Sequence, residues 1–185
     1  MQEVVMRQIM GFLILTSYLW VGTVWAQSPE ALLDRLSQSQ SRSVSAGLIA
    51  QIWARWTGAA ADAEQQKLMQ IGVSQMNAAR YPQAEKTFDA LIALNPNFME
   101  AWNKRATVRY VLGDFNGSQD DINEVLAREP RHFGALSGLG LINMQRGDLS
   151  NAIRAYEKVL QIDPFSQDAR VLLPKLRKQV DKSNL

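Results

Sequence analysis

Residues 99–132 read MEAWNKRATVRYVLGDFNGSQDDINEVLAREPRH, and residues 133–166 read FGALSGLGLINMQRGDLSNAIRAYEKVLQIDPFS. Laid one over the other, the two stretches share a template. Gly113-Asp114 falls on Gly147-Asp148, and Pro130 falls on Pro164. One more step of 34 residues backward brings Pro96 and the stretch 65–98 into the same register. A period of 34 residues is that of a two-helix unit stacked on further units of its kind. Such units bury their apolar faces against one another, because no single pair can do so alone.

Numbering each unit from Gln65, Met99 and Phe133 shows how the packing is encoded. Position 8 is Gly72, Ala106 and Gly140, and position 20 is Ala84, Ser118 and Ala152. Small residues at both places let two antiparallel helices approach closely. Position 4 is Leu68, Trp102 and Leu136; position 24 is Phe88, Ile122 and Tyr156; position 27 is Leu91, Val125 and Val159. These bulky side chains fill the space beside the close contact, as dense packing requires. Gly113 and Gly147 at position 15 suit a helix end in the left-handed conformation. The first unit has Ala79-Arg80 there, a weaker turn signal, with Pro82 just downstream to start the next helix. Helices are expected over 62–78, 82–94, 99–112, 116–128, 133–146 and 149–162.

These motifs resemble the tetratricopeptide repeat family. Trp102, Ala106, Gly113-Asp114-Phe115 and Pro130 carry the resemblance in one unit. Leu136, Leu139-Gly140, Gly147-Asp148, Ala152, Tyr156 and Pro164 carry it in the next. The resemblance implies an all-α fold: a right-handed α-solenoid of three helical hairpins, with capping helices at both ends and a concave face that holds peptides. Arg105 departs from the usual apolar residue at position 7. Gln75, Arg109 and Asn143 depart from the usual aromatic at position 11.

By the same resemblance, positions 5, 9 and 12 of each unit line the groove. Here they are Met69, Val73 and Met76; Asn103, Thr107 and Tyr110; Ser137, Leu141 and Met144. Three methionines suit a surface that adapts to varied apolar ligands. Some family members clamp the acidic C-terminus of a chaperone with Lys, Asn and Arg. Met69 and Val73 stand where the first unit of that clamp has Lys and Asn, and Ser137 and Leu141 replace its basic pair in the third unit. The clamp is absent. A protein or peptide partner is expected, on a groove that is either open or filled by the chain's own termini.

The ends of the chain carry other signals. Arg7 precedes an apolar run over 9–25, and Val24-Trp25-Ala26 followed by Gln27-Ser28-Pro29 reads as a cleavage site between Ala26 and Gln27. Residues 1–26 are therefore expected to be a signal peptide and the protein to be periplasmic. The alternative is an inner-membrane anchor, since a run of about 17 residues is at the lower limit for a span. Met6 is a second candidate start, because Glu3 sits poorly in a positive leader. The chain has no cysteine, which excludes disulfides and thiolate metal sites.

Residues 27–61 are not a full repeat. Ser28-Pro29-Glu30 has the form of a helix start. After a polar linker, Leu48, Ile49, Ile52, Trp53 and Trp56 recur at helical spacing. This segment is expected to cap the open end of the repeat stack at 62–164, with both tryptophans packed on the first full unit; Trp53 and Trp56 as an aromatic anchor for a partner are the sharper alternative. Residues 165–185 are expected to hold a closing helix near 166–181, kinked or interrupted by Pro174. Its cluster of Arg170, Lys175, Arg177, Lys178 and Lys182 fits a solvated face, with anionic lipid heads as the alternative contact.

Chemistry is hard to place on this chain. Its one histidine, His132, falls in an inter-unit loop and is expected at the surface. It has no partners at metal-ligand spacing. Gly134, Gly138 and Gly140 lie inside an expected helix, so they are not a phosphate loop. Asp120, Asp121 and Glu124 are expected to form a solvated acidic face. Net charge is +2, with no long basic run, so nucleic acid is not an expected partner. No enzyme, metal or cofactor site is expected. The packing template has a direct consequence: Phe88→Ala, a core truncation, is expected to cost about 3–5 kcal/mol in chemical denaturation, and an unchanged midpoint would put that ring in solvent.

Overall fold

A computed structural model describes residues 28–58 and 62–183. The expected signal peptide and its Ala26–Gln27 junction lie outside these residues. Among the described residues all regular structure is helical: α1 (Pro29–Ser37), α2 (Arg42–Gly58), α3 (Ala63–Asn77), α4 (Tyr81–Leu94), α5 (Met99–Leu112), α6 (Phe115–Arg128), α7 (Phe133–Gln145), α8 (Leu149–Ile162) and α9 (Gln167–Ser183). From α3 to α9 each helix packs on its successor, and α5 also touches α3 and α7. The result is an α-solenoid of three hairpins closed by α9. No described helix is long and apolar enough to cross a membrane.

The template positions do what their sizes require. Ala84, Ser118 and Ala152 are buried, as are Phe88, Ile122 and Tyr156, and Leu91, Val125 and Val159. A Cβ added to Gly72 would stand 2.5 Å from Cε1 of Phe88, and one on Gly140 would stand 2.7 Å from Cε2 of Tyr156. Position 8 therefore faces the ring at position 24 with no room for a methyl group. Ser118 meets the same limit in a polar way: its hydroxyl donates to the Ala106 carbonyl at 2.8 Å.

The turns follow the glycines. Gly113 and Gly147 have φ of 83° and 74°. Ala79 occupies the same turn in the first unit with φ of 55°, the one non-glycine residue of positive φ among the described residues. Its Cβ crowds the following carbonyl in that conformation. At the helix starts, Asp62, Asp114 and Asp148 each accept an N–H bond from three residues on. These caps satisfy backbone donors that have no helical acceptor.

The second unit replaces apolar packing with ions. Asp121 was expected on a solvated acidic face with Asp120 and Glu124. It is instead 1% exposed, while its two neighbours in that set are exposed. Arg105 holds it with two bonds, Nη2 to Oδ1 at 2.6 Å and Nε to Oδ2 at 2.9 Å. Arg109 adds Nη1 bonds of 3.0 and 3.1 Å. The same two arginines reach back to α4, at Asp89 (2.7 Å) and Glu85 (2.9 Å). Burial pushes the Asp121 carboxyl up, and the two guanidiniums oppose that shift. The departures at positions 7 and 11 are thus one network tying α4, α5 and α6 together. Trp102 lies beside it, with the Arg105 and Arg128 guanidiniums 4.9 and 5.7 Å from its ring.

Two expectations about the ends change. α9 is continuous through Pro174. The proline leaves the Arg170 carbonyl without a helical donor, and both residues are exposed. The larger correction concerns α1 and α2. They do not cap the first unit. Leu32, Leu33, Leu36, Leu48, Ile52 and Trp56 share a buried cluster with α7, α8 and α9, and none with α3 or α4. The first unit has no apolar stripe to offer: Gln66, Lys67, Gln70 and Ser74 of α3 are all exposed. The third unit offers Phe133 and Leu136.

Two outcomes test this account. Ala79→Gly is expected to raise stability by about 1 kcal/mol by relieving the left-handed conformation, read as a higher urea midpoint. Asp121→Ala is expected to cost about 3 kcal/mol by removing the buried carboxylate shared by two half-buried guanidiniums, which keep only Asp89 and Glu85. Replacing Arg105, Arg109 and Asp121 together by leucine should recover most of that loss in the same titration.

Candidate peptide-binding face

The inner face is built from the first helix of each unit, α3, α5 and α7. The nine positions expected to line it are not equivalent. Asn103, Thr107, Tyr110 and Leu141 converge on one small cavity of about 50 Å³ between α5 and α7, which Gly134 and Gly138 also line. Thr107 is exposed, and Tyr110 and Leu141 are half-buried. The Tyr110 hydroxyl accepts a bond from Gln145 Nε2 at 3.2 Å, and its ring leans on Phe115 at 5.5 Å. None of the cavity residues is charged.

The other positions are turned elsewhere. Met69 is 6% exposed and belongs to the core cluster of α4 and α5, with Val73 and Met76 packed against it. Met144 packs on the C-terminal cluster. Ser137 lines a recess shared with Ile49 and Ala46 of α2.

α2 is the reason the lower part of the face is closed. It crosses the N-terminal ends of α9, α7 and α5. Arg42 bonds Gln167 at 2.8 Å, Ser45 bonds Asp163 at 2.7 Å, and Trp53 and Trp56 reach the junction of the second and third units. Both tryptophans were expected on the first unit. Instead Trp56 stacks on His132 with ring centres 4.0 Å apart and planes at 14°. Trp53 meets Phe133 and His132 edge-on at 5.3 and 5.5 Å. Lys104 Nζ lies 5.0 Å from the Trp53 ring centre. A Cβ on Gly134 would come within 2.9 Å of Trp53 Cη2, so the glycine makes room for the indole.

His132, expected at the surface, is fully buried beneath these rings. Its Nδ1 accepts the Ala135 N–H at 3.1 Å and so caps α7. The proton must then sit on Nε2, which donates to Glu100 Oε2 at 3.2 Å. Glu100 is also fully buried and takes bonds from Asn103 Nδ2 and Lys104 Nζ, each at 3.0 Å. Burial pushes the Glu100 carboxyl up, but His132, Lys104 and Asn103 outweigh it and hold the group below its ordinary value. The sequence pattern did not single out Glu100, Lys104 or Phe133. The available signal was position: Glu100 and Gly134 both occupy position 2, on the inner face. Sealed from solvent and without a nucleophile in contact, the Glu100–His132 pair orients side chains. Among the described residues no cluster of three His, Cys, Asp or Glu is placed to hold a metal.

Comparison with known proteins agrees with this architecture. A tetratricopeptide repeat family model matches residues 69–115 and 103–167. A TPR repeat-containing protein of Rhizobium etli is 41% identical over 103 residues, which is 56% of this chain and 50% of that protein. The chain thus spans about half the length of that curated relative. Among solved structures, the first TPR of Spaghetti (RPAP3) bound to an HSP90 peptide superposes with a TM-score of 0.62 at 21% identity, over 65% of this chain and 96% of that one. MamA from Desulfovibrio magneticus, residues 41 to the end, gives 0.59 at 23% identity, over 84% of this chain and 88% of that one. At these identities the structural likeness is one of fold. With the 34-residue register and the family match extending over more than half of the chain, the protein belongs to the tetratricopeptide repeat family.

Proposed function

We propose that this protein is an exported, non-catalytic adaptor or assembly factor of the bacterial periplasm, which captures a peptide or protein segment on the inner face of its repeats. The observation that carries this is the stretch of inner face between α5 and α7, where exposed Thr107 and half-buried Tyr110 and Leu141 present uncharged polar and apolar surface together. The Spaghetti domain, which shares this fold, is bound to an HSP90 peptide. The partner here has different chemistry. None of the residues that line the cavity is charged, and Lys104 of α5 is engaged by Glu100 at 3.0 Å, so the lining itself offers an acidic tail no counter-charge. An apolar or uncharged segment fits better. Support for export comes from the positive residue, apolar run and Ala26–Gln27 junction of residues 1–26.

Two measurements test the two halves of the proposal. With the full chain as bait in envelope extracts, Thr107→Glu plus Leu141→Glu is expected to abolish partner capture while the circular dichroism spectrum stays helical. Retained capture moves the site off the cavity between α5 and α7. N-terminal sequencing of protein recovered from cells is expected to begin at Gln27; a start at Met1 or Met6 would instead make the protein a membrane-anchored scaffold.

A further inference from the structure

α2 lies on a surface that belongs to the inner face of the repeats. The surface beneath α2 consists of inner-face residues: Glu100 and Gly134 at position 2, Lys104 at position 6, and Ser137 at position 5 of their units. Repeat packing alone gives no reason for the missing Cβ at Gly134, because the atom it would strike belongs to Trp53 of α2. Trp56 stacks on the face of His132, and Trp53 meets His132 and Phe133 edge-on. α2 docks by one side only. Ala50 and Ala54 are exposed, as is Val44 at 49%. Its apolar cluster is shared with α7, α8 and α9, not with α3, the next helix in sequence. A helix laid into a groove by side-chain anchors on one face is a common form of peptide ligand.

We propose that α2 is an internal, displaceable occupant of the inner face, and that the partner accepted there is a helical segment with two aromatic side chains three residues apart. The partner's first ring takes the Trp53 place against Gly134, Phe133 and Lys104. Its second takes the Trp56 place on His132. The proposal rests on the peptide-binding reading of this face and specifies how the larger part of it opens.

The test uses the full-length protein and a labelled synthetic peptide with the sequence of residues 42–58. Trp53→Ala plus Trp56→Ala frees the receptor while leaving every residue that lines it. The peptide is expected to bind this variant at least ten-fold more tightly than it binds the wild type, in fluorescence anisotropy. A control peptide with both tryptophans replaced by alanine should not bind. Equal binding to variant and wild type, or none to either, overturns the proposal. Hydrogen exchange on the wild type gives an answer that needs no variant to fold. The α2 amides are expected to exchange through an opening that leaves α5 and α7 protected, and to exchange faster when the peptide is present. Exchange of α2 only together with α5 and α7 overturns the proposal. Thr107 and Leu141 are not among the residues beneath Trp53 and Trp56, although Gly134 borders both places, so retained capture by that double variant would sink the cavity reading and leave this one standing.

Discussion

The close approach of the two helices within each unit is the constraint on which the remainder of the fold depends. Where position 8 is glycine, the ring at position 24 stands so near that a methyl group would collide with it. That contact fixes the spacing of α3 and α4, and of α7 and α8. The spacing sets where the next unit docks, because each unit's apolar residues are buried partly by its neighbour. The same contact positions the inner face. Thr107 and Leu141 stand one helix apart across the cavity only because α5 and α7 are held at successive steps of the stack.

The second unit satisfies this constraint differently. Ala106 replaces glycine and Ile122 replaces the ring, a less bulky pairing. The arginines at positions 7 and 11 then bind Asp121 from two directions. A buried ionic cluster of this kind contributes less net stability than its short distances suggest, since each ion loses water on burial. It is geometrically demanding, however. A bidentate guanidinium tolerates little rotation, so the central unit is held in one orientation between neighbours that pack by shape.

How much of this was legible depended on the range of the interaction. The repeat helices begin and end within one residue of the bounds expected from the sequence, because caps, glycine turns and the 34-residue period act within a few residues of where they are written. The left-handed turn at Ala79 sits in the register set by Gly113 and Gly147, although alanine gives no signal of it. Asp121 and His132 were misplaced for one reason. Each lies in a locally polar stretch, and each is buried by a partner that local pattern does not reveal: Arg105 sits 16 residues from Asp121, and Trp56 reaches His132 from another helix. The path of α2 was not legible either. Its apolar spacing showed that it would be buried, but gave no choice between the two ends of the stack. Of the groove positions, Thr107, Tyr110 and Leu141 line the cavity between α5 and α7, whereas Met69 is drawn into the core by Phe98 and Ala101.

The burial of Glu100 bears on how firmly α2 can be held. Burial is the largest influence on that carboxylate, and it opposes the charge that His132, Lys104 and Asn103 favour. Trp56 covers His132, and Trp53 lies under Lys104, so the helix shields two of the partners of Glu100 from water. When α2 leaves, Glu100 regains hydration, and that gain offsets part of the cost of exposing the two indoles to water. A receptor floored with leucine would have no such offset and would hold the helix more tightly. A buried charge with three partners gives a seat that discriminates by shape and ring position while keeping the undocked state within reach, which is what a face shared between an internal segment and an external one requires.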